Sequence, residues 1–90
     1  MTPSVSLAEN SAVLDPRRAL TRMQREALLA IGLYRRHRLV TGAWLIGDRR
    51  FSTATLKALS RAGLIRLTGH GFALTQGGTV ALLKLKGKDA

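Results

Sequence analysis

Apolar residues recur at three- and four-residue steps from Leu20 through Met23, Ala27 and Ile31 to Tyr34, the spacing of one face of a helix. Leu28, Leu29 and Leu33 widen that face beyond a single stripe. Thr21 and Gln24 fit a capping box, in which hydroxyl and amide satisfy exposed backbone donors reciprocally. Just upstream, Asp15-Pro16 offers another start, with Asp15 as cap and Pro16 at the first helical position. The basic run Arg35, Arg36 and Arg38 is expected to end the long helix, where cations complement its dipole. Before these signals, residues 1–14 are rich in Ser, Thr, Ala and Asn without a sustained period, and they read as a loose arm.

Further along, Thr41 to Gly47 is short and apolar. It fits either a strand or one and a half turns of helix, since periodicity does not decide at this length. Asp48-Arg49-Arg50 reads as a polar turn. Ser52 is a plausible N-cap for a second helix, with Phe51 placed to staple onto Leu56. Leu56, Leu59 and Gly63 line one face of it, and Gly63 stops it, because glycine tolerates the left-handed conformation. Ile65, Arg66, Leu67 and Thr68 alternate, with Ile65 and Leu67 inward and Arg66 and Thr68 outward. Gly69-His70-Gly71 is a turn, and Phe72-Ala73-Leu74 is the returning strand of a hairpin. Thr75 caps a last helix carrying Val80, Leu82, Leu83 and Leu85, whose first turn Gly77 and Gly78 weaken. Residues 87–90 form a basic tail and residues 15–86 the folded domain.

The order helix, short element, helix, hairpin, helix predicts an α+β winged helix-turn-helix, with three to four helices and a short β-hairpin wing. The segment Ala58-Leu59-Ser60-Arg61-Ala62-Gly63-Leu64-Ile65 resembles the end of the recognition helix in bacterial winged-helix regulators. Phe72-Ala73-Leu74-Thr75-Gln76-Gly77-Gly78 resembles their second wing strand running into Leu-Thr-x-x-Gly. Leu20-Thr21 with Gln24, followed by a leucine-rich helix, is similar to the first helix of MarR-like regulators. The resemblance spans residues 20 to 85 and implies a compact variant, since the stretch between the two helices is short and abbreviates the second helix, and the wing tip is only three residues.

Charge sharpens this picture. All fifteen Lys and Arg lie between Pro16 and Lys88, a stretch that holds only two acidic residues, Glu26 and Asp48. A small domain so charged repels itself, and a polyanion relieves the repulsion. Nucleic acid is the expected partner. Four aromatics in the whole chain are too few for the stacking platforms of single-strand and RNA readers, so double-stranded DNA is favoured. The chain lacks cysteine, and His37 and His70 are far apart, which leaves no metal or disulfide framework to read. With five carboxylates and no acid–base pair or phosphate-cradling loop, an enzyme is not expected. No cofactor or small-molecule ligand is evident. No apolar run is long enough to span a membrane and no signal peptide is visible, so the expected location is the cytoplasm, on the nucleoid.

The candidate DNA-contacting residues centre on the second helix. Ala54, Lys57, Ala58 and Arg61 project opposite Leu56 and Leu59 at 100° per residue. Two alanines permit close approach to thymine methyls, and Lys57 and Arg61 reach guanine acceptors or phosphates. Ser52 and Thr53 at the helix start suit a phosphate, with Arg49 and Arg50 flanking the DNA backbone and Arg66 and His70 touching it from the wing. His37 reads as a solvated helix end and Trp44 as core. The expected function is sequence-specific duplex binding, as in a transcriptional regulator. The alternatives are an excisionase-like or architectural accessory factor and a winged-helix protein-interaction module. The surplus leucines at 28, 29, 33, 82, 83 and 85 predict a homodimer, which would read half-sites about one DNA turn, roughly 34 Å, apart.

Overall fold

A computed structural model of the chain describes residues 10–69 and 71–87. The protein is α+β, with five helices and two small antiparallel sheets among those residues. The elements run α1 (Ser11–Leu14), α2 (Pro16–Ala19), α3 (Arg22–Leu33), β1 (His37–Val40), β2 (Ala43–Ile46), β3 (Arg49–Ser52), α4 (Thr53–Arg61), β4 (Ile65–Thr68), β5 (Gly71–Leu74) and α5 (Gln76–Lys86). No helix among the described residues is long and apolar enough to cross a membrane.

Capping chemistry sets the helix starts. At α3 the Thr21 hydroxyl accepts from the Gln24 amide at 3.1 Å while the Gln24 side chain accepts from the Thr21 amide at 3.0 Å, the reciprocal box that satisfies otherwise orphaned donors. Ser52 and Thr75 do the same for α4 and α5 with single bonds from Thr55 and Gly78. Asp15 precedes Pro16 at the start of α2, as expected, but makes no side-chain cap. One core joins the elements: Ala27, Leu28, Ile46, Phe51, Leu56, Leu59, Leu64, Ile65 and Ala81 are all nearly inaccessible. At about 25 cal/mol per Å² of apolar surface, each large side chain buried in this way contributes roughly 1.5–3 kcal/mol.

The connection between α3 and α4 is the main departure from expectation. No abbreviated helix stands there. A three-stranded antiparallel meander, β1-β2-β3, occupies it instead. The helix stops at Leu33, because Tyr34 turns extended at φ −109°, ψ 141° and lays its ring against the Gly47 turn. The arginines assigned to the helix end therefore leave it: Arg35 and Arg36 lie in the connector and Arg38 in β1. Thr41-Gly42 and Gly47-Asp48 make two-residue hairpin loops. Gly42 sits at φ +73° and Gly47 at φ +63°; the latter is the first central position, where a type II′ turn requires glycine. Thr41–Gly47 is thus two turn residues, a strand and the start of a turn, and Arg49-Arg50 is strand as well.

Two further expectations change. The arm does not extend to residue 14. Asn10 caps α1 and also donates from Nδ2 to the Ala62 carbonyl at 2.7 Å, at the end of α4. Ala12 and Val13 are buried in the core. Four residues are too few to display a helical period, so the sequence concealed this clasp; residues 1–9 lie outside the described part. Leu67, assigned inward, is 65% exposed: it stands near the turn end of the hairpin opposite Phe72, where it borders an open groove instead of the closed core. Of the six surplus leucines, Leu28, Leu82 and Leu85 are buried within the single chain, whereas Leu29, Leu33 and Leu83 remain exposed.

The glycine pair that weakens α5 has a packing role at its second member. A Cβ at Gly78 would stand 1.8 Å from the Leu64 carbonyl oxygen. That same oxygen accepts from the Thr75 amide at 3.0 Å, and the Thr75 hydroxyl donates to the Gly63 carbonyl at 2.5 Å. The start of α5 is therefore pressed onto the root of the β4–β5 hairpin, backbone against backbone.

Candidate nucleic-acid interface

The interface is built around α4. Ser52, at the end of β3, holds the helix start: its hydroxyl accepts from the Thr55 amide at 3.2 Å and shares a bond with the Thr55 hydroxyl at 2.9 Å. Leu56 and Leu59 anchor the inner face. Ala54, Lys57 and Arg61 are exposed on the outer face, Ala58 is half-buried at its margin, and Thr53 is half-buried. Thr53, Lys57 and Ser60 border a groove of about 210 Å³ whose other wall is Trp44, Leu67 and Phe72. Trp44 is half-buried rather than fully enclosed, and its ring meets Phe72 edge-on with centroids 4.6 Å apart.

Bonding within the chain sorts the basic residues into two groups. Arg17 donates to the Leu85 carbonyl, Arg25 to the carbonyls of Arg17 and Leu20, and Lys84 to that of Leu14. These cations meet carbonyls at the ends of short helices, where the ladder leaves acceptors open. Arg22 and Arg49 both hold Glu26, at 3.0 and 2.6 Å. Their side chains draw the Glu26 pKa below the ordinary carboxylate value, through hydrogen bonds from Arg49 first and Arg22 second. By contrast, Arg18, Arg35, Arg36, Arg38, Arg50, Lys57, Arg61, Arg66 and Lys86 take part in none of the side-chain hydrogen bonds or ion pairs found among the described residues.

The candidate residues read from the sequence therefore fare differently. Lys57, Arg61 and Ala54 share the open face of α4. Ser52 is there too, but its hydroxyl is engaged as a cap. Arg49 and Arg50 part company, since successive strand residues point to opposite faces. Arg49 turns toward α3, joins Glu26 and lies 5.2 Å from the Phe51 ring centroid. Arg50 faces outward beside Leu45. Arg66 is exposed on the hairpin opposite Ala73. His70 lies outside the described residues.

His37 has a role that composition did not reveal. Its Nδ1 accepts from the Phe72 amide at 2.9 Å, and its Nε2 donates to the Tyr34 carbonyl at 2.8 Å. An amide can only donate and a carbonyl only accept, so these two bonds require the neutral ring with hydrogen on Nε2. The residue pins the hairpin to the meander; it is not a solvated helix end. The outer sheet face carrying Arg36, Arg38 and Arg50 was also missed. Its signal was present as arginines alternating with other residues, but reading it required knowing that residues 37–52 are strands.

No protein-family model, curated protein or solved structure matches this chain.

Proposed function

We propose that the protein binds double-stranded DNA through the open face of α4, as a compact winged-helix variant in which α4 is the recognition helix and β4–β5 occupies the position of the wing. The observation that carries the reading is the α4 face itself: small Ala54 in its first turn, followed on the same face by Lys57 and Arg61, on a capped and core-anchored helix, with neither cation bonded among the described residues. A helix entering the major groove needs small residues for close approach and long donors for base edges and phosphates. The excess of positive charge supplies the non-specific attraction. A regulator reading discrete sites is favoured over an architectural factor, because Lys57 and Arg61 lie one turn apart on one face and both reach base edges. Dimerisation, if it pairs half-sites, would use Leu29, Leu33 and Leu83, the leucines left exposed.

Selection of duplexes from a random library, followed by affinity measurements on the enriched and a scrambled duplex at several salt concentrations, tests the reading. Enrichment of a common motif, with binding that weakens as salt rises, supports it. Retention of no duplex removes it. A second reading, protein contact, draws on the apolar groove beside α4, where Leu67 is largely exposed against Trp44 and Phe72. Binding of duplex with no sequence preference, unaffected by changes at Lys57 and Arg61, would favour that use of the face.

A further inference from the structure

We infer that the outward face of the β1–β3 meander, and not the β4–β5 hairpin, carries the second nucleic-acid contact, with Arg36, Arg38 and Arg50 set on backbone phosphates of the duplex. This rests on the duplex reading above. The register places the residues. Arg38, Leu45 and Arg50 form one row across the three strands, and Leu39, Trp44 and Phe51 form the next. Adjacent rows project to opposite faces. In that next row Phe51 is in the core and Trp44 packs against it, so the row of Arg38 and Arg50 looks outward. The Gly47 amide bonds the Arg36 carbonyl at 2.9 Å, which extends the same register and sets Arg36 on the outward face too. With strands about 4.8 Å apart, Arg38 and Arg50 stand about 10 Å from each other across Leu45, and Arg36 lies about 7 Å along the strand from Arg38.

Folding does not account for this face. All three arginines are exposed and none is ion-paired among the described residues. Asp48, in the turn at the Arg36 end, makes no ion pair with them. Three like charges on one small sheet repel, and a polyanion reverses the sign of that interaction. A guanidinium presents a planar fork that matches phosphate oxygens. Beside the row, Arg35, Arg36, Arg38, Leu45 and Gly47 line a shallow depression of about 620 Å³. The face also adjoins α4. Arg50 and Ser52 are two residues apart on β3 and share a side, and Ser52 is the N-cap of α4. The hairpin offers far less, since Arg66 is the single Lys or Arg from Ile65 to Leu74.

The test compares the full-length parent with R38A/R50A, with R66A and with R18A/K86A, which removes two charges from α2 and α5. Each is titrated with duplex DNA at rising salt. Log K against log salt should flatten by about 1.8 in R38A/R50A, at about 0.9 for each phosphate no longer neutralised, and change little in R66A or R18A/K86A. If R38A/R50A melts early, R38Q/R50Q keeps most of each stem and the same readout applies. A slope in the double variant equal to the parent's, or an equal flattening in R66A or in R18A/K86A, overturns the sheet site while leaving the α4 reading intact. A parent that binds no duplex overturns both, and binding of phosphatidylserine vesicles in its place would give the face to a membrane surface.

Discussion

The two sheets of this protein bury their inner faces in the same way and use their outer faces differently. Ile46 and Phe51 of the meander and Ile65 of the hairpin all enter one core. Outside, the meander carries Arg38 and Arg50 around Leu45, whereas the hairpin carries Arg66 opposite Ala73. The hairpin is fastened at both ends: to the meander through His37 and Phe72, and to α5 through the contact of Gly78 with Leu64. No comparable clamp holds the outer face of the meander among the described residues. A strand's inner residues are dictated by packing, while its outer residues are free to carry charge, and here one sheet braces while the other presents cations.

The contrast breaks most visibly at the root of the hairpin. Gly78→Ala drives a methyl into the Leu64 carbonyl, a backbone atom that cannot swing aside. The expected loss of stability is about 3 kcal/mol, at the upper end for overpacking, read by denaturant unfolding. A change below roughly 0.5 kcal/mol, the usual range for surface substitutions, would show that α5 does not press on the hairpin as described.

Next in size is His37→Ala, which removes both ring bonds and leaves the Phe72 amide without its acceptor. A loss of about 1–3 kcal/mol is expected, with faster hydrogen exchange at Phe72. Nitrogen chemical shifts of the wild-type ring should report hydrogen on Nε2. Arg38→Ala, the next residue along the strand but on the outward face, should stay within about 0.5 kcal/mol.

On the binding side, Lys57→Ala or Arg61→Ala should reduce discrimination between an enriched duplex and a scrambled one by about 1–3 kcal/mol, with unchanged melting temperature. Arg49→Ala should act instead on stability through Glu26, since Arg49 is held away from the α4 face. Equal loss on both duplexes from Lys57 and Arg61 would move these residues from base reading to phosphate docking.

The smallest effect concerns pH. The folded-state pKa of Glu26 lies below its ordinary value of 4.5. Its pairing therefore stabilises the fold above that ordinary value, and the contribution is lost as pH falls through the lowered one. The pair is exposed, so the effect should be slight and salt-screened. Glu26→Gln should flatten the acid limb of the stability profile by a measurable but small amount; an unchanged limb would mean the two arginines do not hold the carboxylate in solution.

Local signals made much of this molecule legible. The Thr21–Gln24 box, the Ser52 and Thr75 caps, the stop at Gly63 and the hairpin around Gly69 each involve a few neighbouring residues, and each formed where the pattern put it. The outer face of α4 followed from Leu56 and Leu59 alone. The meander was illegible because its central strand, Ala43-Trp44-Leu45-Ile46, is apolar throughout and shows no alternation to tell it from a helical turn, whereas the equally short Ile65-Arg66-Leu67-Thr68 alternates. Without the meander, Arg49 and Arg50 look like a pair, Arg38 looks like a helix end and His37 looks solvated. The clasp of Asn10 onto Ala62 joins residues 52 positions apart, and no local pattern announces such a bond. Gly78 reads in sequence as a matter of helix propensity, although its position is explained by a carbonyl across the packing interface.

Duplex binding through α4 and the meander is tested most sharply by titrating the isotopically labelled protein with an enriched duplex and following amide and side-chain chemical shifts. The largest changes should fall on Ala54, Lys57 and Arg61, with a second set on Arg38 and Arg50, while Ala81 and Leu85 in the core of α5 stay still. Changes confined to Leu29, Leu33 and Leu83, or none at all at saturating duplex, would contradict it.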